Sequence, residues 1–184
     1  MALFSYKTGV WPISLEIAGA RLSLNQDGSV QLQVGATEIG QGADTVFSQM
    51  AAETLHMDIS RVHIVTQQDT DVTPFDTGAY ASRQSFVTGT AVKECAQQLK
   101  QKILEYARTL VPGNVDRLEL EDGYILADGK PAISLEDLAM ESYYSLSNSS
   151  VLTAEVSRQV KKNTVASGCC FCLLYTSPSP RDRT

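Results

Sequence analysis

Two loops rich in glycine and small polar residues constrain this chain more than any other feature. Gly35–Gly42 and Asp76–Ser85 each follow a short β-branched run and precede a helical pattern. The first N–H groups of a helix have no partner inside the helix, and the helix dipole is positive there. Such a loop suits an anion or a phosphate-bearing cofactor. Ordinary helix entries with glycine in a tight turn have the same pattern, so spacing alone leaves both interpretations open.

The loops lie within an alternation of strands and helices. Alternating apolar and polar residues indicate strands, and apolar residues spaced three and four apart indicate helices. Asp27-Gly28 is typical of a hairpin turn. The first half of the chain is therefore predicted to form strands over 13–24 and 29–34 with a turn at 25–28, a helix over 44–57 and a strand over 61–66.

In the second half, an apolar stripe with a four-residue step predicts a long helix over 84–110. Cys95 lies on this stripe and is interpreted as a core residue. A hairpin, a helix capped by Ser134 and a further strand are predicted at 117–127, 134–144 and 151–160. The fold class is thus α+β, with a mixed β-sheet and helices entered from the two loops.

Composition narrows the class of protein. The net charge is −6, with no basic stripe to offset it, which argues against a nucleic-acid surface. No apolar run is long enough to span a membrane, and the first residues lack the apolar core of a signal peptide. Three of the four cysteines crowd at 169, 170 and 172, which does not suit a disulfide framework. These features predict a reduced, cytoplasmic protein with no nucleic-acid or membrane partner.

The last residues differ in character from the rest. Residues 172–184 have no hydrophobic periodicity and contain a Pro-x-Pro pair. They resemble the translated read-through of a transposase adapter used in DNA library preparation, and a natural disordered tail is the alternative. The predicted organisation is one partial domain over 1–171, followed by a non-native tail over 172–184.

Several familiar sites are absent from the sequence. Neither the Gly-x-Gly-x-x-Gly dinucleotide fingerprint, a Gly-Lys-Ser/Thr phosphate loop nor a Gly-x-Ser-x-Gly elbow occurs. His56 and His63 lack the spacing of a zinc helix. Glu38 has the chemistry of a base, but a carboxylate that caps a neighbouring N–H group is the favoured interpretation. The residues alone indicate donor-rich loops around a polar, phosphate-bearing cofactor.

The two loops resemble a known family. Gly35–Gly42 followed by Asp44-Thr45, and Thr73–Gln84, are similar to molybdopterin loops in the large, molybdenum-binding subunit of the xanthine dehydrogenase family of molybdenum hydroxylases. The similarity covers about residues 4–171. It implies a partial molybdopterin-binding domain in which the pterin dithiolene, and no protein side chain, holds the metal.

The resemblance also assigns roles to residues. Gln41 would donate to a pterin monophosphate or pterin–cytosine dinucleotide, Ala79 to Ala81 would face the metal side, and the small Ala81 would leave room for substrate beside molybdenum. Ser82, Gln84 and Ser85 would bond near the phosphate groups. The implied cofactor-binding set is Gly40, Gln41, Gly42, Ala79, Tyr80, Ala81, Ser82, Gln84 and Ser85.

The resemblance further implies an oxidoreductase that hydroxylates a purine, another N-heterocycle or an aldehyde, with water as the oxygen source. Electrons would pass through iron–sulfur and FAD subunits or domains to NAD, in an oligomer of heterotrimers. Substrates would be xanthine, hypoxanthine or an aldehyde. The family's catalytic glutamate and its substrate-clamping residues have no counterpart in this chain, so no catalytic residue is named.

Two other interpretations of the function stay open. One is a stand-alone small α+β module that binds a cofactor without catalysis, and the other is a hydratase or transferase on the same scaffold. Because only part of the cofactor's surroundings is present, we expect the 184-residue polypeptide alone to be inactive and to bind molybdopterin weakly or not at all.

Overall fold

The computed structural model describes residues 1–113 and 115–171 as an α+β arrangement. Its strands are β1 (Ala2–Lys7), β2 (Ile17–Leu24), β3 (Val30–Val34), β4 (Val62–Ile64), β5 (Leu118–Glu121), β6 (Tyr124–Ala127), β7 (Lys130–Ser134), β8 (Thr153–Gln159) and β9 (Val165–Cys170). Its helices are α1 (Ala43–Leu55), α2 (Gln84–Leu110) and α3 (Leu135–Tyr144), and a short 3-10 helix spans Ile59–Arg61.

A mixed four-stranded sheet, in the order β4-β3-β2-β8, forms the centre of the fold. The hairpin of β2 and β3 is antiparallel, as its turn signal predicts, and β3 pairs with β4 in parallel. At the turn, the Asp27 carboxylate accepts hydrogen bonds from the N–H and hydroxyl of Ser29. Gly28 adopts φ 74°, a left-handed conformation that favours glycine. The predicted hairpin is therefore confirmed.

Helix α2 packs along this sheet and against α1. Its buried stripe includes Val87, Cys95, Leu99 and Ile103, which confirms the four-residue periodicity. The Cys95 thiol donates to the Ala154 carbonyl at 3.2 Å, and burial raises its pKa to about 11. Cys95 is thus a core residue, as predicted, with a thiol that stays protonated at neutral pH.

A smaller antiparallel sheet, in the order β5-β6-β7, leads into α3. The Ser134 hydroxyl accepts a hydrogen bond from the N–H of Asp137 at 3.0 Å, which confirms the predicted cap. Strand β7 was not predicted, because Lys130 and Pro131 at its start obscure its alternation. Tyr143 joins this unit to the central sheet by donating its hydroxyl to the Leu24 carbonyl at 2.9 Å.

Strands β1 and β9 form a separate antiparallel ribbon. Neither strand was predicted. Every residue of β1 is exposed, so this strand has no buried face whose apolar residues would recur at every second position. The predicted strand over 13–24 was too long, because residues 11–14 form a turn and β2 begins at Ile17. The predicted strand over 61–66 shortens to β4, because the 3-10 helix takes Arg61.

Within the part of the chain that the structure describes, no helix is both long and apolar enough to cross a membrane. The predicted tail over 172–184 lies outside the described residues.

Candidate functional site

The two loops meet beside a cavity. The Gln41 side-chain amide donates to the Gln84 side-chain oxygen at 2.6 Å and to the Thr37 carbonyl at 2.9 Å. The adjoining cavity has a volume of about 420 Å³. Its walls combine apolar and polar side chains from both loops, from β1 and from the first turns of α1. The lining residues are Tyr6, Ile39, Gln41, Ala43, Val46, Phe47 and Ala79 to Ser85.

The Glu38 carboxylate accepts hydrogen bonds from the backbone of its own loop and of α1. One carboxylate oxygen accepts hydrogen bonds from the N–H groups of Gly40 at 2.6 Å and Gly42 at 3.1 Å. The other accepts from the N–H of Asp44 at 3.1 Å. These N–H groups, that of Asp44 most, hold the pKa of the Glu38 carboxyl below its usual range. The capping interpretation of Glu38 is confirmed, and the N–H groups of Gly42 and Asp44, expected to be free, are occupied.

Asp44 lies in the first turn of α1, beside the carboxylate of Glu38. Burial and the charge of Glu38 raise the pKa of the Asp44 carboxyl above its usual range. Glu38 therefore already balances the positive end of α1, and a second anion at this place meets repulsion.

The second loop lies against the central sheet at two glycines. The Gly19 N–H donates to the Phe75 carbonyl at 2.7 Å. A Cβ atom on Gly19 would lie 2.8 Å from the Pro74 Cβ atom, and one on Gly35 would lie 2.8 Å from the Asp76 nitrogen and closer still to the Pro74 carbonyl oxygen. Only glycine at these two positions lets the backbone of the second loop come so close.

The second loop enters α2 through two consecutive left-handed residues, Ala81 at φ 49° and Ser82 at φ 53°. This conformation is costly for residues other than glycine and is typical of functional sites. The Ala81 carbonyl accepts from the Gly9 N–H at 2.8 Å. Among the described residues, none accepts a hydrogen bond from the backbone N–H of Gln84 or Ser85. The first two N–H groups of α2 thus stay free, with no carboxylate in the role that Glu38 has at α1.

Arg83 lies beneath the second loop with its side chain fully buried. Its guanidinium forms ion pairs of 2.5 Å with both Glu16 and Asp76. Burial opposes the charge, but the hydrogen bond to Glu16 and the charge of Asp76 raise the pKa of Arg83 above its usual value. Sequence reasoning missed this group. Its only signal was an arginine next to the start of an amphipathic helix, and its partner Glu16 lies far away in the sequence.

The residues assigned to the cofactor come together in space. Gln41, Ala79, Tyr80, Ala81, Ser82, Gln84 and Ser85 all line the cavity. Gly40 and Gly42 flank Gln41 with φ 97° and 80°, and their N–H groups are engaged by Glu38. Within residues 1–113 and 115–171, no group of three or more His, Cys, Asp or Glu is placed to hold a metal ion.

Comparison with known proteins adds to this geometry. The molybdopterin cofactor-binding domain family matches residues 1–175. The putative xanthine dehydrogenase molybdenum-binding subunit XdhA of Escherichia coli (strain K12) is 48% identical over 174 residues, which is 93% of this chain and 23% of that protein. The chain thus spans about a quarter of the length of this relative.

Solved structures share the fold. Quinoline 2-oxidoreductase from Pseudomonas putida 86 superposes with a TM-score of 0.75 at 20% identity, over 90% of this chain and 23% of that one. CO dehydrogenase from Oligotropha carboxidovorans does so with a TM-score of 0.75 at 23% identity, over 89% of this chain and 22% of that one. The chain belongs to the molybdopterin cofactor-binding domain family, as found in the molybdenum-binding subunits of xanthine dehydrogenases.

Proposed function

We propose that the cavity between the two loops holds the pterin and phosphate groups of a molybdopterin cofactor. The observation that carries this proposal is the Gln41–Gln84 hydrogen bond of 2.6 Å, which joins the loops beside the cavity. Family membership supports the cofactor class. Ser82, Gln84 and Ser85 would supply donors to the cofactor, and Gln41, whose amide already donates to Thr37 and Gln84, would hold the two loops together beside it. Gly40 and Gly42 would shape the backbone around Gln41.

The donor set fits a cofactor held by neutral groups. Among the described residues that line the cavity, Arg83 is the only cation, and two carboxylates already pair with it. The remaining donors include the Ser82 and Ser85 hydroxyls, the second N–H of the Gln84 amide and the free N–H groups at the start of α2. Uncharged donors at a helix start stabilise a phosphate group without an ion pair. We therefore assign the cofactor's phosphate to the α2 side of the cavity.

Residues 79–81 line the same cavity and precede Ser82 in the second loop. Ala79 and Tyr80 are exposed, and Ala81 is half-buried. We assign them to the metal-bearing end of the cofactor, where the single methyl group of Ala81 leaves space for a substrate. When bound, the molybdenum–pterin group supplies the redox chemistry of the reaction, and this chain supplies placement and hydrogen bonds.

The whole protein is proposed to be a cytoplasmic oxidoreductase that hydroxylates a purine, another N-heterocycle or an aldehyde. The relative from E. coli is described as the molybdenum-binding subunit of a xanthine dehydrogenase, which supports partner subunits. Iron–sulfur and FAD subunits would accept the electrons and pass them to NAD, within an oligomer of heterotrimers.

The experiment measures molybdenum and pterin in the complete subunit that contains this domain, purified from a host that makes molybdopterin. Gln41→Ala is expected to lower the content of both about tenfold, because it removes the link between the loops. Gln101→Ala changes an exposed glutamine of α2 away from the cavity and serves as the matched control. Equal cofactor content in wild type and Gln41→Ala, both folded, would contradict the proposal.

A further inference from the structure

Arg83 makes more contacts than a core ion pair needs. Its Nε donates to Glu16, one Nη donates to Asp76 at 2.5 Å and to the Gly78 carbonyl at 3.0 Å, and the other Nη donates to the Ile17 carbonyl at 2.7 Å. The partners come from β2, from the segment before it and from the second loop. One planar group therefore joins the start of β2 to the second loop, two backbone segments that are far apart in the sequence.

The two carboxylates are themselves fixed by other donors. Glu16 accepts from the Val10 N–H at 2.5 Å. Asp76 accepts from the Gly78 N–H at 2.8 Å and, on its other oxygen, from the Thr88 hydroxyl at 2.7 Å. The network thus extends from the N-terminal segment to the second turn of α2. Because each oxygen of both carboxylates has a partner, the network has one low-energy arrangement.

This arrangement lies directly under the strained part of the loop. Ala81 and Ser82 are left-handed, and the residue that follows them is Arg83. The ring of Tyr80 lies over the guanidinium, with its centre 5.5 Å from the Arg83 Cζ atom. A costly backbone conformation persists only where surrounding contacts determine it. Arg83 holds the backbone on both sides of the left-handed pair. Its guanidinium bonds to the Gly78 carbonyl before the pair, and its own backbone leads into α2 after the pair.

We infer that Arg83 is a positioning residue, which holds residues 77–82 in the shape that receives the cofactor before any cofactor arrives. The purpose of that shape rests on the proposed function, whereas the ordering of the loop does not. Arginine is required rather than positive charge alone, because a lysine ammonium has no planar fork and cannot serve the separate acceptors in their present directions.

The first test follows amide hydrogen exchange in the 184-residue chain without cofactor. In Arg83→Lys, exchange within residues 77–82 is expected to be about tenfold faster, with α1 unchanged. The matched control is Arg158→Lys, which changes an exposed arginine paired with Glu94 at 3.5 Å. The inference is overturned if exchange in Arg83→Lys stays at the wild-type rate in this loop, or rises equally along the whole chain.

A milder variant covers the case in which Arg83→Lys does not fold. Thr88→Val keeps the side-chain shape and removes one donor to Asp76 from α2. Exchange in residues 77–82 is then expected to be about threefold faster, again without change in α1. Equal exchange in wild type and Thr88→Val would also count against the inference.

The second test uses the complete subunit loaded with molybdopterin. Release of the pterin is followed at a temperature at which wild type and Arg83→Lys are both fully folded. We expect about tenfold faster release from the variant, because the preformed loop shape is lost. If the wild-type subunit binds no pterin, the proposed function fails while the exchange result still stands. Equal release from both proteins would contradict the positioning role.

Discussion

The two loops look alike in sequence, but the charged group beside the helix start is a carboxylate in the first loop and a guanidinium in the second. In the first loop, the carboxylate of Glu38 occupies the N–H groups at the start of α1. In the second loop, the charged group is the buried guanidinium of Arg83, and the N–H groups of Gln84 and Ser85 stay free. The N–H groups of Gly42 and Asp44 are therefore withdrawn from a ligand, whereas those of Gln84 and Ser85 are not.

This difference shows that a glycine-rich helix entry is not by itself an anion site. A carboxylate a few residues upstream can satisfy the same N–H groups and leave nothing for a ligand. The first loop then contributes shape and one exposed side-chain amide, Gln41, while the second loop contributes the donors.

The largest effect is expected from Arg83→Met, which breaks the support of the second loop. Removing one member of a buried ion pair leaves buried charge uncompensated and costs about 3–5 kcal/mol of unfolding free energy. Urea denaturation measures this loss, with Arg158→Met as a control at an exposed ion pair. A loss equal to that of the control would mean that the network does not stabilise the fold.

A smaller effect is expected from Gly35→Ala, which pushes the second loop off the sheet. The added methyl group would collide with the backbone of Pro74 and Asp76, at a cost of about 1–3 kcal/mol in unfolding free energy. Gly40→Ala is the control, since its Cβ atom would meet open space and its φ of 97° alone would cost about 1 kcal/mol. Equal losses would show that close approach is unimportant at Gly35.

Glu38→Gln tests the cap of the first loop. Without the negative charge, exchange of the Gly42 and Asp44 amides is expected to be about fivefold faster, with no change in residues 77–82. Glu53→Gln, at an exposed position of α1, is the control. Faster exchange in both loops would remove the distinction between them.

The same cap gives a pH dependence with a definite sign. The folded state lowers the pKa of Glu38 from its usual 4.5. The stabilisation is therefore fully present above pH 4.5 and is lost as the pH falls through the lower, folded value. Subtracting the acid titration of Glu38→Gln from that of wild type isolates this contribution. A difference that grows as the pH falls below 4.5 would contradict the cap.

The smallest effect on stability is expected from Gln41→Ala. Gln41 is exposed, so its hydrogen bonds compete with water and the unfolding free energy should change by less than about 1 kcal/mol. Thermal denaturation of the chain without cofactor provides the measurement. A loss as large as that of Gly35→Ala would show that Gln41 supports the fold rather than the cavity.

Sequence patterns predicted the elements that bury one face. The stripe of α2, the β2–β3 hairpin and the Ser134 cap each follow from local spacing, and each is confirmed. The ribbon of β1 and β9 was missed, because its pairing joins the two ends of the described chain and its residues are exposed. Local periodicity contains no information about such a partner.

The site was predictable in its residue types and less so in its contacts. Spacing alone suggested that both loops face one ligand, and the structure brings Gln41 and Gln84 together. Capping was the favoured role of Glu38, and its bonds to the N–H groups of Gly42 and Asp44 confirm it. The Arg83 network was invisible, because Glu16 and Asp76 reach it only after the sheet has formed.

The close approach of Pro74 to Gly19 and Gly35 has a consequence for the order of folding. Those glycines form a usable surface only when β2 and β3 are already paired, and the hairpin needs only local contacts. The second loop must close a longer stretch of chain before it can dock, and it gains little buried apolar area by itself. We expect the hairpin to form early and the cofactor-facing loop to become ordered last, so that the cavity forms only after β2 and β3 have paired.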